Sequence, residues 1–123
     1  MNTEASQFRP ADWYVDHLLD DVNRFASVLD AGPTDVPVAA CPGWDVSRLA
    51  EHVGQIHRWA RFCVTHGRPP TPADGKPPEL DPAQSASAWL RTGADELAAA
   101  LRGIEPDAPT WHQFPVEKVA GVW

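Results

Sequence analysis

Five histidines and two cysteines carry most of the chemistry open to this chain: His17, His52, His57, His66, His112, Cys41 and Cys63. An imidazole binds metals and moves protons near neutral pH, and a thiol becomes a nucleophile or ligand once ionised. The densest stretch runs from Cys41-Pro42-Gly43-Trp44-Asp45 through Leu49-Ala50-Glu51-His52-Val53 to Ile56-His57-Arg58-Trp59-Ala60. It opens as a turn, sets a cap and continues as an amphipathic helix. Val46, Leu49, Val53, Ile56, Ala60 and Cys63 recur in steps of three and four, which predicts one buried face. His52 falls on the flank of that face, near Trp59 and Cys63. A polar, metal-capable ring at the edge of a core needs a partner there.

Spacing narrows the options. His52 and His57 are five residues apart, so they do not form the i, i+4 clamp of a helical zinc motif. A lone histidine is one of the three or four ligands zinc requires, and a core-edge histidine bonded to a carbonyl is the competing reading. His57 is expected against the first helix or in solvent. His17 is placed to reach the bundle interior and support a ligand. His66 sits where a helix end favours a cation. His112 falls in a loop beside Trp111, with its role open. Cys63 reads as a small core residue, and Cys41 has no neighbour that would activate it. The helix between the two cysteines keeps them from forming a disulfide. No CxxC pair, Ser-His-Asp pattern or phosphate-cradling glycine loop is present.

The elements that must position these groups are helical. Asp12 can cap a first helix over 12–31, with Tyr14, Leu18, Val22, Phe25 and Leu29 on one face and Gly32-Pro33 as its stop. Residues 33–43 form a proline-bearing linker, and Asp45 caps a second helix over 46–66 that ends at Gly67. Trp44, just before the cap, is expected to staple onto that helix. Six prolines and two glycines in 67–82 predict a loop that connects rather than a ligand for a proline-reading partner. A third helix is expected over 82–102, with Trp89, Leu90, Gly93, Leu97, Leu101 and Ile104 sharing a face. Val116, Val119 and Trp123 have the spacing of a short further helix starting near Val116. No alternating run is long enough for a strand. The expected architecture is an all-α, up-and-down bundle of antiparallel helices. Residues 1–11 form a flexible tail, and 12–123 one domain that is incomplete at its C-terminus.

Composition excludes several classes. The chain has 123 residues, 43% hydrophobic and 22% charged, as expected for one globular domain. A net charge of −7 offers no basic face for nucleic acid or an anionic membrane. The N-terminus lacks a secretory signal and no apolar run approaches a membrane span, so the expected location is cytoplasmic.

The Cys-Pro-Gly-Trp turn, followed by Leu49-Ala50-Glu51-His52-Val53 and Ile56-His57-Arg58-Trp59-Ala60, resembles the mycothiol-dependent maleylpyruvate isomerase family in its N-terminal metal-binding domain. That resemblance implies a DinB-like four-helix bundle, of which three helices and the start of a fourth are present here. It implies a divalent metal, usually zinc, held by the histidine of a Trp-x-x-x-x-Leu-x-x-His helix. In this chain the motif is Trp44, Leu49 and His52. The family's other two ligands, a glutamate and a histidine four residues apart on the last helix, are expected beyond Trp123.

Two readings follow. In the first, the chain is the metal-binding domain of a mycothiol-dependent isomerase or thiol transferase. Its partners are then a small-molecule thiol and an electrophilic substrate, and its cofactors a metal and mycothiol. In the second it is a non-catalytic helical module, or a truncated product without a working metal site. An incomplete bundle exposes an apolar groove, from which self-association is expected.

Overall fold

The computed structural model describes residues 9–81, 83–105 and 108–110. Residues 1–8 of the expected 1–11 tail, the helix near Val116 and the loop around Trp111 and His112 lie outside the described residues, and Ala11 of that tail already belongs to the first helix. Among the described residues there are three α-helices: α1 (Ala11–Ala31), α2 (Val46–His66) and α3 (Ala86–Arg102). A single 3-10 turn, Pro72–Asp74, interrupts the connection between α2 and α3. Among the described residues there is no strand; Pro37 and Asp45 form an isolated antiparallel bridge. The all-α reading therefore holds.

Local chemistry explains the boundaries. Pro10 precedes α1, where its fixed φ costs no backbone donor, and Asp12 falls inside the first turn instead of capping it. The Asp45 carboxylate accepts from the Arg48 backbone N–H at 2.8 Å and starts α2 at the expected residue. Gly67, at φ 71°, ends α2 with its N–H on the Cys63 carbonyl. Helix α3 starts four residues later than expected. Its cap is Ser85, whose hydroxyl accepts from the Ala88 N–H at 3.3 Å.

Helix α3 packs against both α1 and α2. Val22 and Leu29 of α1, Ala50 of α2, and Leu90 and Ala94 of α3 form the central cluster. Leu18, Leu19, Phe25, Val46, Val53 and Ala86 pack around it.

The direction of the helices departs in part from the expected alternation. Ser87 at the start of α3 donates to Asp30 at the end of α1, and Arg102 at the end of α3 reaches Asp12 and Asp16 at the start of α1. These two helices are antiparallel, as expected. Gly54 and Arg58 of α2, however, meet Trp89 and Gly93 of α3 in ascending order, so α2 and α3 run the same way. The connection makes this possible. It travels back along α2, with the Gln55 amide donating to the Pro78 carbonyl and Glu51 accepting from the Leu80 N–H. Parallel neighbours need a crossover of that length, whereas a short loop would have reversed the chain.

The buried faces are rotated slightly from those the spacing predicts. In α1 the buried positions are Val15, Val22, Ala26 and Leu29, while Tyr14 is exposed and its hydroxyl accepts from the Arg9 N–H. In α2 they are Ala50, Gly54, Ala60, Cys63 and Val64, and Ile56 is 44% exposed. In α3 the expected Trp89, Leu90, Gly93 and Leu97 are all buried.

Candidate functional site

The turn before α2 is built by its own sequence. The Trp44 N–H donates to the Cys41 carbonyl at 3.0 Å across Pro42-Gly43, with Gly43 at φ 83°. Proline sets the first central position of such a turn and glycine accepts the left-handed second one. The Val38 N–H then donates to the Trp44 carbonyl, and the Val46 N–H to the Val36 carbonyl. This small hairpin fixes both Trp44 and the cap, Asp45, and so fixes the phase of the helix that carries His52.

His52 lies two turns into α2, but its side chain is exposed and does not turn into the bundle at the core edge as the spacing predicts. Its ring meets Trp44 edge-on, with centroids 5.0 Å apart. Trp44 is also capped by the Arg48 guanidinium, 5.0 Å from its ring. The tryptophan thus packs on Arg48 and His52 at one turn's spacing, which is the contact that holds the imidazole. Among the described residues the His52 ring makes no hydrogen bond, so its nitrogens are open. Trp59, seven residues on, shares this helix face and is half-buried.

The other histidines are dispersed. His17 is exposed: its Nδ1–H donates to the Trp13 carbonyl at 2.6 Å, and its ring lies 4.1 Å from the Trp13 ring. It does not reach the bundle interior as expected, because the α1 core face runs through Val15 and Leu18. His66 stacks on Phe62 at 3.9 Å at the end of α2. His57, expected against α1 or in solvent, is half-buried, and its Nδ1 is buried without a hydrogen-bond partner among the described residues. Burial, and then the charge of Arg58, push its pKa below 6.5. The period of the core, Ala50–Gly54–(His57)–Ala60–Val64, could have exposed this position in the sequence.

Cys63 is fully buried and Cys41 half-buried, and both are free. Burial pushes the Cys63 thiol up to about 11, which suits a core residue and not a nucleophile.

Among the described residues no three His, Cys, Asp or Glu side chains converge closely enough to hold a metal ion. His52 by itself offers an exposed ring that rests edge-on against Trp44 and makes no hydrogen bond among the described residues. The fit is therefore that of one ligand and not of a whole site.

Sequence reading missed the order in the proline-rich connection. Arg68 donates through both guanidinium nitrogens to both oxygens of Asp74, at 2.9 and 3.0 Å. Asp74 also accepts from the Thr71 N–H and hydroxyl, completing a capping box over Pro72–Asp74. The signal was present as Thr71-Pro72-x-Asp74, a cap, a proline at the first helical position and an acid at the third.

No helix among the described residues is long and apolar enough to cross a membrane. No curated protein and no solved structure gives a significant match to this chain. The profile of the mycothiol maleylpyruvate isomerase N-terminal domain matches residues 15–123, from the first buried residue of α1 to the end of the chain. With the all-helical bundle and the Trp44–His52 turn-and-helix inside that span, the chain belongs to the mycothiol maleylpyruvate isomerase N-terminal domain family.

Proposed function

We propose that this chain is the metal-binding part of a mycothiol-dependent isomerase or thiol transferase, with His52 as one ligand of a divalent metal, zinc in the first instance. The observation that carries the reading is the exposed imidazole of His52, without a hydrogen bond among the described residues and in ring contact with Trp44 in the family's motif. A bound divalent cation would supply the charge that deprotonates a coordinated thiol, and the thiolate is the competent nucleophile. The chain's own residues do the positioning. Asp45 sets the helix phase, Trp44 packs on the ring, and the packing of Gly54 against Trp89 holds α2 in place two residues later.

A glutamate and a histidine on a following helix complete the ligand set in this reading. The partners are a small thiol and an electrophile, and two unpaired cysteines suit a reducing cytoplasm. Neutral imidazole is the ligating form, so affinity falls at low pH.

Calorimetric zinc titration tests this. The 123-residue chain should bind zinc weakly, and a chain extended through a helix bearing Glu-x-x-x-His should bind it tightly. His52→Ala in the extended chain should weaken binding by about 10-fold or more. Unchanged affinity in that variant, or sub-micromolar binding by the short chain, would overturn the assignment.

A further inference from the structure

The connection that runs back along α2 does not lie flat on it. Between the outer face of α2 and the loop over 68–78 there is a cleft of about 800 Å³. That is the size of a small-molecule site. Its walls are mainly apolar, including Trp59 and Phe62 from the helix and Pro70, Pro72, Pro77 and Pro78 from the loop.

The cleft is held open by the loop's own bonds. At one end the loop is anchored by Gln55 on the Pro78 carbonyl and Glu51 on the Leu80 N–H. In the middle it is braced by the Arg68–Asp74 pair and the Thr71 capping box. Three prolines in Pro69, Pro70 and Pro72 further restrict it. A ligand entering this space would meet a formed cavity and would not bear the cost of ordering a long loop.

Charge marks the ligand. The chain carries −7 overall, yet Arg58, Arg61 and Lys76 line this cleft against Asp74 and Glu96. Asp74 is already neutralised by Arg68. Arg58 is committed to the carbonyls of Gly54 and Trp89. The side chains of Arg61 and Lys76 have no carboxylate within ion-pair distance among the described residues. Flat apolar walls with two uncommitted cations at an open mouth select a flat apolar body that ends in an anion.

We propose that this cleft binds an aromatic carboxylate, its ring against the loop prolines and the α2 wall, where Phe62 is already stacked with His66, and its carboxylate toward Arg61 and Lys76. The site includes Trp59, which shares the His52 face of α2, but it is turned partly around the helix and centred about 13 Å further along it, at 1.5 Å per residue. It stands independently of the metal reading.

The probe is 2-naphthoate, titrated into the full chain in chelator and followed by 1H–15N shift mapping. The cation 2-naphthylmethylamine and plain acetate are run beside it. Naphthoate should bind with Kd below about 1 mM, with shifts confined to residues 55–78 and the neighbourhood of Glu96, and should bind more tightly than either control. The exposed double variant Arg61→Gln/Lys76→Gln should weaken it about three- to tenfold, from two solvent-facing ion pairs. Arg24→Gln on α1 and His52→Ala should not change it. Equal binding of the naphthyl cation, shifts scattered over the bundle, no binding below about 1 mM, or an unaltered double variant would each overturn the proposal.

Discussion

The Arg58 guanidinium lies 3.9 Å from the centroid of the Trp89 ring and donates to the Trp89 carbonyl at 2.9 Å. A second bond, to the Gly54 carbonyl at 3.1 Å, closes the group onto α2. The same ring covers Gly54, where a Cβ would overlap it, and a Cβ at Gly93 would come 2.5 Å from the guanidinium. Two glycines, one tryptophan and one arginine thus let two parallel helices approach closely just beyond His52. Burial holds the Arg58 pKa below its ordinary value, but an arginine remains charged, so its donors must stay bonded.

Gly54→Ala should therefore destabilise the domain. A helix-interior Gly→Ala change gains about 1 kcal/mol in propensity, but overpacking costs about 1–3 kcal/mol, and the backbone-fixed Trp89 has little room to yield. Urea denaturation should show a lower midpoint. Arg58→Lys, which loses the planar fork, should also be destabilising by about 1–3 kcal/mol.

The unpartnered Nδ1 of His57 predicts a pH dependence of stability. Its folded pKa lies below 6.5, chiefly through burial, so the unfolded chain binds a proton more readily. The contribution is complete above pH 6.5 and is lost as pH falls below it toward the folded value. Between pH 7.5 and 5.5 the wild-type Tm should drop more than that of His57→Gln. Parallel curves would show that His57 is not the titrating group.

The two thiols should differ in reactivity. Cys63 is fully buried with its pKa pushed to about 11, whereas Cys41 is half-buried in the turn. Native protein at pH 8 should release one equivalent of thionitrobenzoate quickly, and a second only in denaturant. Cys41→Ser should abolish the fast phase.

Asp74→Asn should loosen the loop without unfolding the bundle. The Arg68 guanidinium beside it, with the Thr71 N–H, holds this carboxyl well below the usual carboxylate range, so the brace survives mild acid. Amide exchange over 69–76 should rise in the variant while Tm hardly moves. A large fall in Tm would mean that the loop contributes to the core.

His52→Ala should leave stability unchanged to within about 0.5 kcal/mol, because the side chain is exposed and, among the described residues, rests on the Trp44 ring alone. Any loss of zinc binding in that variant then reports ligation and not misfolding.

Several features were decided by local sequence. Asp45 and Gly67 set the ends of α2 because caps act on the nearest backbone groups, and Pro42-Gly43 set the turn because only glycine reaches its φ cheaply. The α3 core face was legible in Trp89, Leu90, Gly93 and Leu97, since a strongly periodic helix has one side to bury. The motif around His52 was legible for the same reason, being contiguous on one turn and one helix. Only the tertiary structure decided that α2 and α3 run the same way, because a long proline-rich connection permits either direction and the contacts of Gln55 and Glu51 select one. It also decided that His57, and not Ile56, turns inward. Spacing fixes which residues share a stripe, but the angle at which a neighbour packs fixes which edge of the stripe is covered. The cleft beside Trp59 is likewise tertiary, since its two walls belong to segments that only the fold brings face to face.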